Sequence, residues 1–414
     1  MTSKQILAIL GVAAVASASA EVMDRPTGIK IGEHLTLRPY VSLSYTYDSN
    51  PDSSKHSTKD GSQWLVNPGL GAEYLAENWK LAGAAWYEYH AYNRYSSQLN
   101  SSSFGEQLQF DWADSMPNEK GWKVMFSEKF QQIAQDDDMS NDGGRGIGRD
   151  RKQLTASGIV ERRINEYVHG AIDASYYLLD YDNDVDKYAS LYGWKRTTVG
   201  GELGYAPSKW TDFIVAASYQ WYDQDNSHNR NGETSNRISS SSKGWSVMGG
   251  IGTRATERIE YRVLAGWSRF EYGGGAKDSD GFVYEFSGKW KITDTLNFMA
   301  LGTSYYHPSE REYSSQTKVY SASAGLAKSF VRGKVTGTLD FAYRHEDTEY
   351  VGVSGNDYDQ DIWTGRIGVN YVMNRFFTVF ARAEYQDCEK GGSGAGHYSD
   401  YDRFRGTIGM RLTY

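Results

Sequence analysis

Apolar residues take every second position near the carboxyl end of the chain. Phe404, Ile408, Met410, Leu412 and Tyr414 alternate with Arg405, Thr407, Gly409, Arg411 and Thr413. A period of two predicts a strand with one apolar and one polar face. The pattern recurs upstream, in Phe213/Val215/Ala217/Tyr219/Trp221, Ile259/Tyr261/Val263/Ala265/Trp267, Phe282/Tyr284/Phe286/Trp290, Val335/Leu339/Phe341/Tyr343 and Phe377/Val379/Ala381/Ala383/Tyr385. Leu35–Tyr47 is the first such strand. No stretch keeps a 3.6-residue period long enough for a helical domain.

The polar connections alternate in length. Long ones run at 48–62, 93–102, 135–150, 182–192, 226–242, 273–280, 307–315, 348–358 and 388–400. Short ones centre on Glu77-Asn78, Pro117-Asn118-Glu119, Asn165-Glu166, Pro207-Ser208-Lys209, Thr256-Glu257, Thr293-Asp294, Arg332-Gly333 and Asn374-Arg375. Nine long and eight short connections predict eighteen antiparallel strands, or sixteen if the irregular hairpins near 104–134 are miscounted. Long loops on one side and turns on the other suit a transmembrane β-barrel, with loops outside the cell and turns in the periplasm. A fixed-period solenoid or propeller does not fit hairpins of varying length. Glu106 and Glu128 interrupt the apolar face, which predicts a bulge or a shifted register there.

Composition agrees with a barrel. Mean hydropathy is −0.63, yet the chain carries 32 Tyr, 12 Trp and 15 Phe, with 44 Gly and only 7 Pro. Alternation between lipid and lumen hides such strands from hydropathy. Trp79, Trp122, Trp210 and Trp290 lie beside short turns; Tyr89, Tyr176, Trp221, Trp267 and Tyr343 lie near long loops. Two aromatic girdles would place rings at those heights. The single Cys388 excludes an internal disulfide framework, and the net charge of −8 argues against nucleic acid as a partner. Residues 1–20 read as a signal peptide: Lys4, an apolar run Ile6 to Val15, and Ala18-Ser19-Ala20 as the cleavage site. Residues 21–34 are then a periplasmic lead and 35–414 the barrel.

The amphipathic strand ending on Tyr414 resembles the assembly signal of bacterial outer-membrane barrels. Leu35-Thr-Leu-Arg-Pro-Tyr-Val-Ser-Leu-Ser-Tyr-Thr-Tyr-Asp-Ser-Asn50 joins a basic residue and Pro-Tyr to an alternating strand and Asp-x-Asn. That segment resembles the β-barrel porins of Gram-negative envelopes, in particular the group related to barrels associated with exopolysaccharide export. The resemblance implies an outer-membrane location and a non-enzymatic pore for small hydrophilic solutes. The alternative is a barrel component of exopolysaccharide export or processing. It further implies contact with outer-membrane lipid and with the barrel assembly machinery through Tyr414, and it leaves open a homotrimer. It supplies no catalytic residue, cofactor or metal.

The polar face carries the candidate chemistry. Arg344, Arg366, Arg382, Arg403 and Arg405 share interior parity on the last strands, and closure of the barrel would bring Arg38 near them. They form either a positive wall that attracts anionic or hydroxyl-rich solutes, or a wall stiffened by pairing with Asp340, Glu384 and loop acids. Gln135–Arg149 is acidic and glycine-rich, and Asp136, Asp137, Asp138 and Asp142 are candidates for a loop that folds inward to narrow the pore. A solvated surface loop is the alternative. His90 and His169 have lumen parity, but no partner stands at a diagnostic spacing for a hydrolase dyad or zinc site.

Overall fold

A computed structural model describes residues 28–50, 60–93, 100–113, 121–133, 151–181, 194–208, 210–224, 241–253, 258–272, 278–307, 314–350, 357–392 and 400–414. The signal-peptide residues and the candidate constriction loop lie outside the described residues. The strands are β1 (Ile29–Ile31), β2 (Leu35–Asp48), β3 (Gly61–Leu75), β4 (Trp79–Tyr92), β5 (Ser101–Ala113), β6 (Trp122–Ile133), β7 (Arg151–Arg163), β8 (Val168–Tyr181), β9 (Trp194–Ser208) and β10 (Thr211–Gln224). The series continues with β11 (Ser241–Gly252), β12 (Ile259–Tyr272), β13 (Ser279–Thr293), β14 (Leu296–His307), β15 (Ser314–Phe330), β16 (Val335–Tyr350), β17 (Tyr358–Val372), β18 (Phe377–Gly392) and β19 (Tyr401–Thr413).

Each of β2 to β19 pairs antiparallel with the next, and β19 pairs with β2, so eighteen strands close into one barrel. At that size a barrel is wide enough to hold an aqueous channel. The short β1 pairs with β2 through Ile29↔Leu37 and Ile31↔Leu35, and lies within the segment the sequence marks as a periplasmic lead. It continues the sheet past the end of β19.

The closing seam explains the Asp-x-Asn motif. Asp48 accepts from Arg403 Nε at 3.0 Å, and the Asn50 side-chain amide donates to the Asp402 carbonyl at 2.9 Å. Ser49 N–H donates to the Phe404 carbonyl at 2.9 Å, and Tyr414 N–H donates to the Pro39 carbonyl at 3.0 Å. Two periplasmic turns share one device. Asn165 Oδ1 accepts from the Tyr167 and Val168 N–H groups, both at 2.8 Å, and Asn374 Oδ1 accepts from Phe376 at 2.9 Å and Phe377 at 3.0 Å. The short amide side chain adds to the backbone bonds that close each turn, from Asn165 N–H to the Val168 carbonyl and from Asn374 N–H to the Phe377 carbonyl, both at 3.3 Å.

Exposed apolar side chains, such as Val215, Trp221, Val263, Trp267, Leu339 and Ile408, lie on one face of their strands. Tyr284 and Phe377 lie on the same outer face, half-exposed. The pairing of β5 with β6 runs unbroken from Phe104↔Gln132 to Ala113↔Lys123, with Leu108 opposite Glu128. So there is neither a bulge nor a slip, and Glu106 and Glu128 point outward with Phe104, Leu108 and Phe126. A charge on the lipid face costs about 2–4 kcal/mol for a base at mid-bilayer and less for an acid. Glu128→Leu is therefore expected to raise stability in liposomes by about 1–2 kcal/mol, read as a higher urea midpoint. A lower midpoint would mean that this carboxylate has a partner in the assembled membrane.

Candidate functional site

The interior wall divides into two regions. The first spans β16 to β19 and β2. Pairing registers Asp340 with Arg366, Arg366 with Glu384, Glu384 with Arg405, and Arg405 with Asp48. Alternating charges thus run across five strands in one row. Glu384 accepts from Arg366 on one side and from Arg405 Nε on the other, at 2.9 Å for the latter. Arg344 pairs with the buried Glu346, and Arg403 with Asp48. The more exposed Arg382 lies 5.1 Å above the Phe380 ring.

Antiparallel pairing corrects one expectation. Arg405 lies opposite Asp48, whereas Thr413 lies opposite Tyr40. Arg38 therefore sits at the other end of the seam from Arg403 and Arg405, near the periplasmic turns, where it pairs with Glu73 at 3.7 Å. Basic side chains still outnumber acids on this wall, where Arg38, Arg344, Arg366, Arg382, Lys390, Arg403, Arg405 and Arg411 share the interior face with Asp48, Asp340, Glu346 and Glu384; on β17 to β19 Glu384 is the acid among six of these bases.

The second region spans β8 to β14. Arg262 donates from Nε to Glu285 at 3.0 Å and pairs through Nη2 with Glu202 at 2.7 Å, so one guanidinium ties β12 to β13 and to β9. Toward the cell surface an aromatic run crosses the wall. Ring centroids are 4.5 Å apart for Tyr177–Trp194, 5.7 Å for Trp194–Tyr222, 5.3 Å for Tyr222–Phe270 and 4.8 Å for Phe270–Tyr272. Tyr222 and Phe270 stand two strands apart and meet across Gly244, where an added Cβ would come within 2.6 Å of the Phe270 ring. A cavity of about 190 Å³ lies against this wall, lined by Arg196, Thr198, Gln220, Arg262, Glu285 and Tyr305 among others.

The model of the family described as "Putative beta-barrel porin 2" matches residues 197–414, just over half of the chain. The chain belongs to that family. It is an outer-membrane β-barrel porin, and its fold and family place it in the envelope of a Gram-negative bacterium. No curated protein matches it by sequence. Among solved structures it is similar to OpdK of Pseudomonas aeruginosa, crystallised with vanillate, at 11% identity and TM-score 0.45, covering 91% of this chain and 99% of that one. It is also similar to the FrpB iron transporter of Neisseria meningitidis, at 8% identity and TM-score 0.44, covering 95% of this chain and 83% of that one.

Two features of this porin escaped the sequence. His169 lies 2.8 Å from Asp212 Oδ2, a pair formed across β8 and β10 that no spacing along the chain reveals. The inner aromatic run was the other, because rings beside long loops read as girdle residues. The doublets Tyr176-Tyr177 and Trp221-Tyr222 held the signal. On a strand, one ring of each doublet must face inward.

Proposed function

We propose that this porin is a water-filled diffusion pore for small hydrophilic solutes with a modest preference for anions. The observation that carries the reading is the basic excess on the interior faces of β17 to β19, where Glu384 is the acid among six basic side chains. Pairing tempers that charge without cancelling it. Glu384 is shared by Arg366 and Arg405, so one carboxylate answers two guanidiniums. Solvated charges interact by at most about 1 kcal/mol, which corresponds to a preference for anions of up to roughly five-fold.

Reversal potentials across a planar bilayer under a potassium chloride gradient test this. The intact pore is expected to favour chloride, and Arg366→Gln with Arg382→Gln is expected to bring the ratio toward one. Neither replacement removes a seam contact, so the barrel should still assemble. Raised ionic strength should weaken the preference, since charges are screened beyond about 8–10 Å near physiological salt. A preference for potassium that the double variant leaves unchanged would make these arginines structural. The candidate constriction loop with Asp136, Asp137, Asp138 and Asp142 would act against the wall if it folds inward.

A further inference from the structure

We infer that the cavity of β8 to β14 is a binding subsite for a small organic carboxylate with an apolar face, held through its carboxylate by Arg196. The inference names a solute class for the pore and so rests on the diffusion-pore reading.

Arg196 differs from the interior arginines that are tied up in ion pairs. Arg262, Arg344, Arg366, Arg403 and Arg405 each have a carboxylate partner. Among the described residues Arg196 has none. Its hydrogen bond is a long one, from Nη1 to the Tyr222 hydroxyl at 3.4 Å. Its guanidinium instead lies 5.7 Å from the Tyr177 ring, 5.6 Å from Trp194 and 5.8 Å from Tyr222. Ring faces stabilise the cation and fix its plane but accept few of its five N–H groups. A guanidinium set among rings with donors to spare is suited to a bidentate oxyanion. It lines the cavity.

The rest of the lining fits the same ligand. Thr198 and Gln220 flank Arg196 with a hydroxyl and an amide, while Val283 and Tyr305 supply an apolar side. The acids stand apart from the cation. Asp173 is registered opposite Gly200, four residues along β9 from Arg196, or roughly 13 Å at 3.3 Å per residue. Its carboxylate presses on Gly200, where an added Cβ would fall 2.7 Å from Oδ1. Glu202 and Glu285 are engaged by Arg262. An anion therefore has one favourable place, at Arg196, with its carbon frame turned to Tyr305. At about 190 Å³ the space is below the roughly 300–1,000 Å³ of drug-sized sites, which sets the size of the solute.

Single-channel recording tests the subsite, with potassium chloride as the current carrier and benzoate, glucuronate, acetate or benzyl alcohol added at millimolar concentration. Benzoate is expected to interrupt the current in events whose frequency rises with concentration and whose dwell time does not, and glucuronate, with hydroxyls in place of an apolar ring, is expected to dwell for less time. Acetate is expected to act at least ten-fold more weakly, and uncharged benzyl alcohol not at all. Arg196→Gln is expected to shorten the dwell time at least ten-fold while leaving the chloride conductance in place. If that variant fails to insert, the wild-type contrast between benzoate and benzyl alcohol decides. Equal block by those two, block unchanged by Arg196→Gln, or a conducting channel that no carboxylate blocks would each overturn the subsite and leave the pore intact. A protein that carries no current would instead overturn the pore reading.

Discussion

Arg403→Ala is expected to destabilise the folded barrel by about 3–5 kcal/mol, the cost of removing one partner from a buried ion pair. Arg403 is 2% exposed, and its Nε donates to both oxygens of Asp48 at 3.0 Å. Without the guanidinium, Asp48 keeps the Asn50 N–H at 3.0 Å but loses its countercharge in a buried place. The loss falls on the seam between β19 and β2, which alone turns a curved sheet into a closed barrel. An open edge in lipid leaves backbone groups unsatisfied, at several kcal/mol each, so a local loss spreads along the seam. Urea unfolding in liposomes, followed by tryptophan fluorescence, checks the size of the effect. Arg403→Met combined with Asp48→Leu should recover much of it, because packed apolar side chains often replace a buried pair at little cost. A midpoint unchanged by Arg403→Ala would mean that the pair does not hold the seam.

Val263→Arg is expected to cost about 2–4 kcal/mol in the same assay, if its height is that of the bilayer centre. Val263 is 48% exposed on the outer face of β12, between Ile251 and Phe286. Both neighbours face outward, so an arginine there meets hydrocarbon on every side and must stretch toward a headgroup. Arginine at Ser323, on the interior face of β15 opposite Leu301 and Ala342, is expected to cost far less because it reaches water. If both variants unfold at the same urea concentration, the assignment of faces on β12 fails.

The eighteen strands were legible because alternation is a local property. Phe213 to Trp221 announces its own strand, and Asn374 its own turn, without help from the rest of the chain. The site was less legible because its contacts are distant in sequence. Asp48 and Arg403 are 355 residues apart, and their meeting depends on the register of the final pairing. Parity alone brings Arg38 to the same seam as the last-strand arginines, but the two strands run antiparallel, and that direction sends Arg38 to the opposite end from Arg403 and Arg405. Glu106 and Glu128 show the opposite case. The alternation placed them on the outer face, and the pairing of β5 with β6 places them there too. Tyr222 and Phe270 could not be joined from sequence, since nothing local marks Gly244 as the gap between them.

Recording from the purified protein in a planar bilayer tests the central claim most directly, that the barrel encloses an open aqueous path. Insertion is verified separately by the strand signal in circular dichroism and by resistance to proteolysis. Stable stepwise currents that scale with salt concentration, with a modest preference for chloride, are the result expected. Folded, inserted protein that carries no current at any voltage would contradict it.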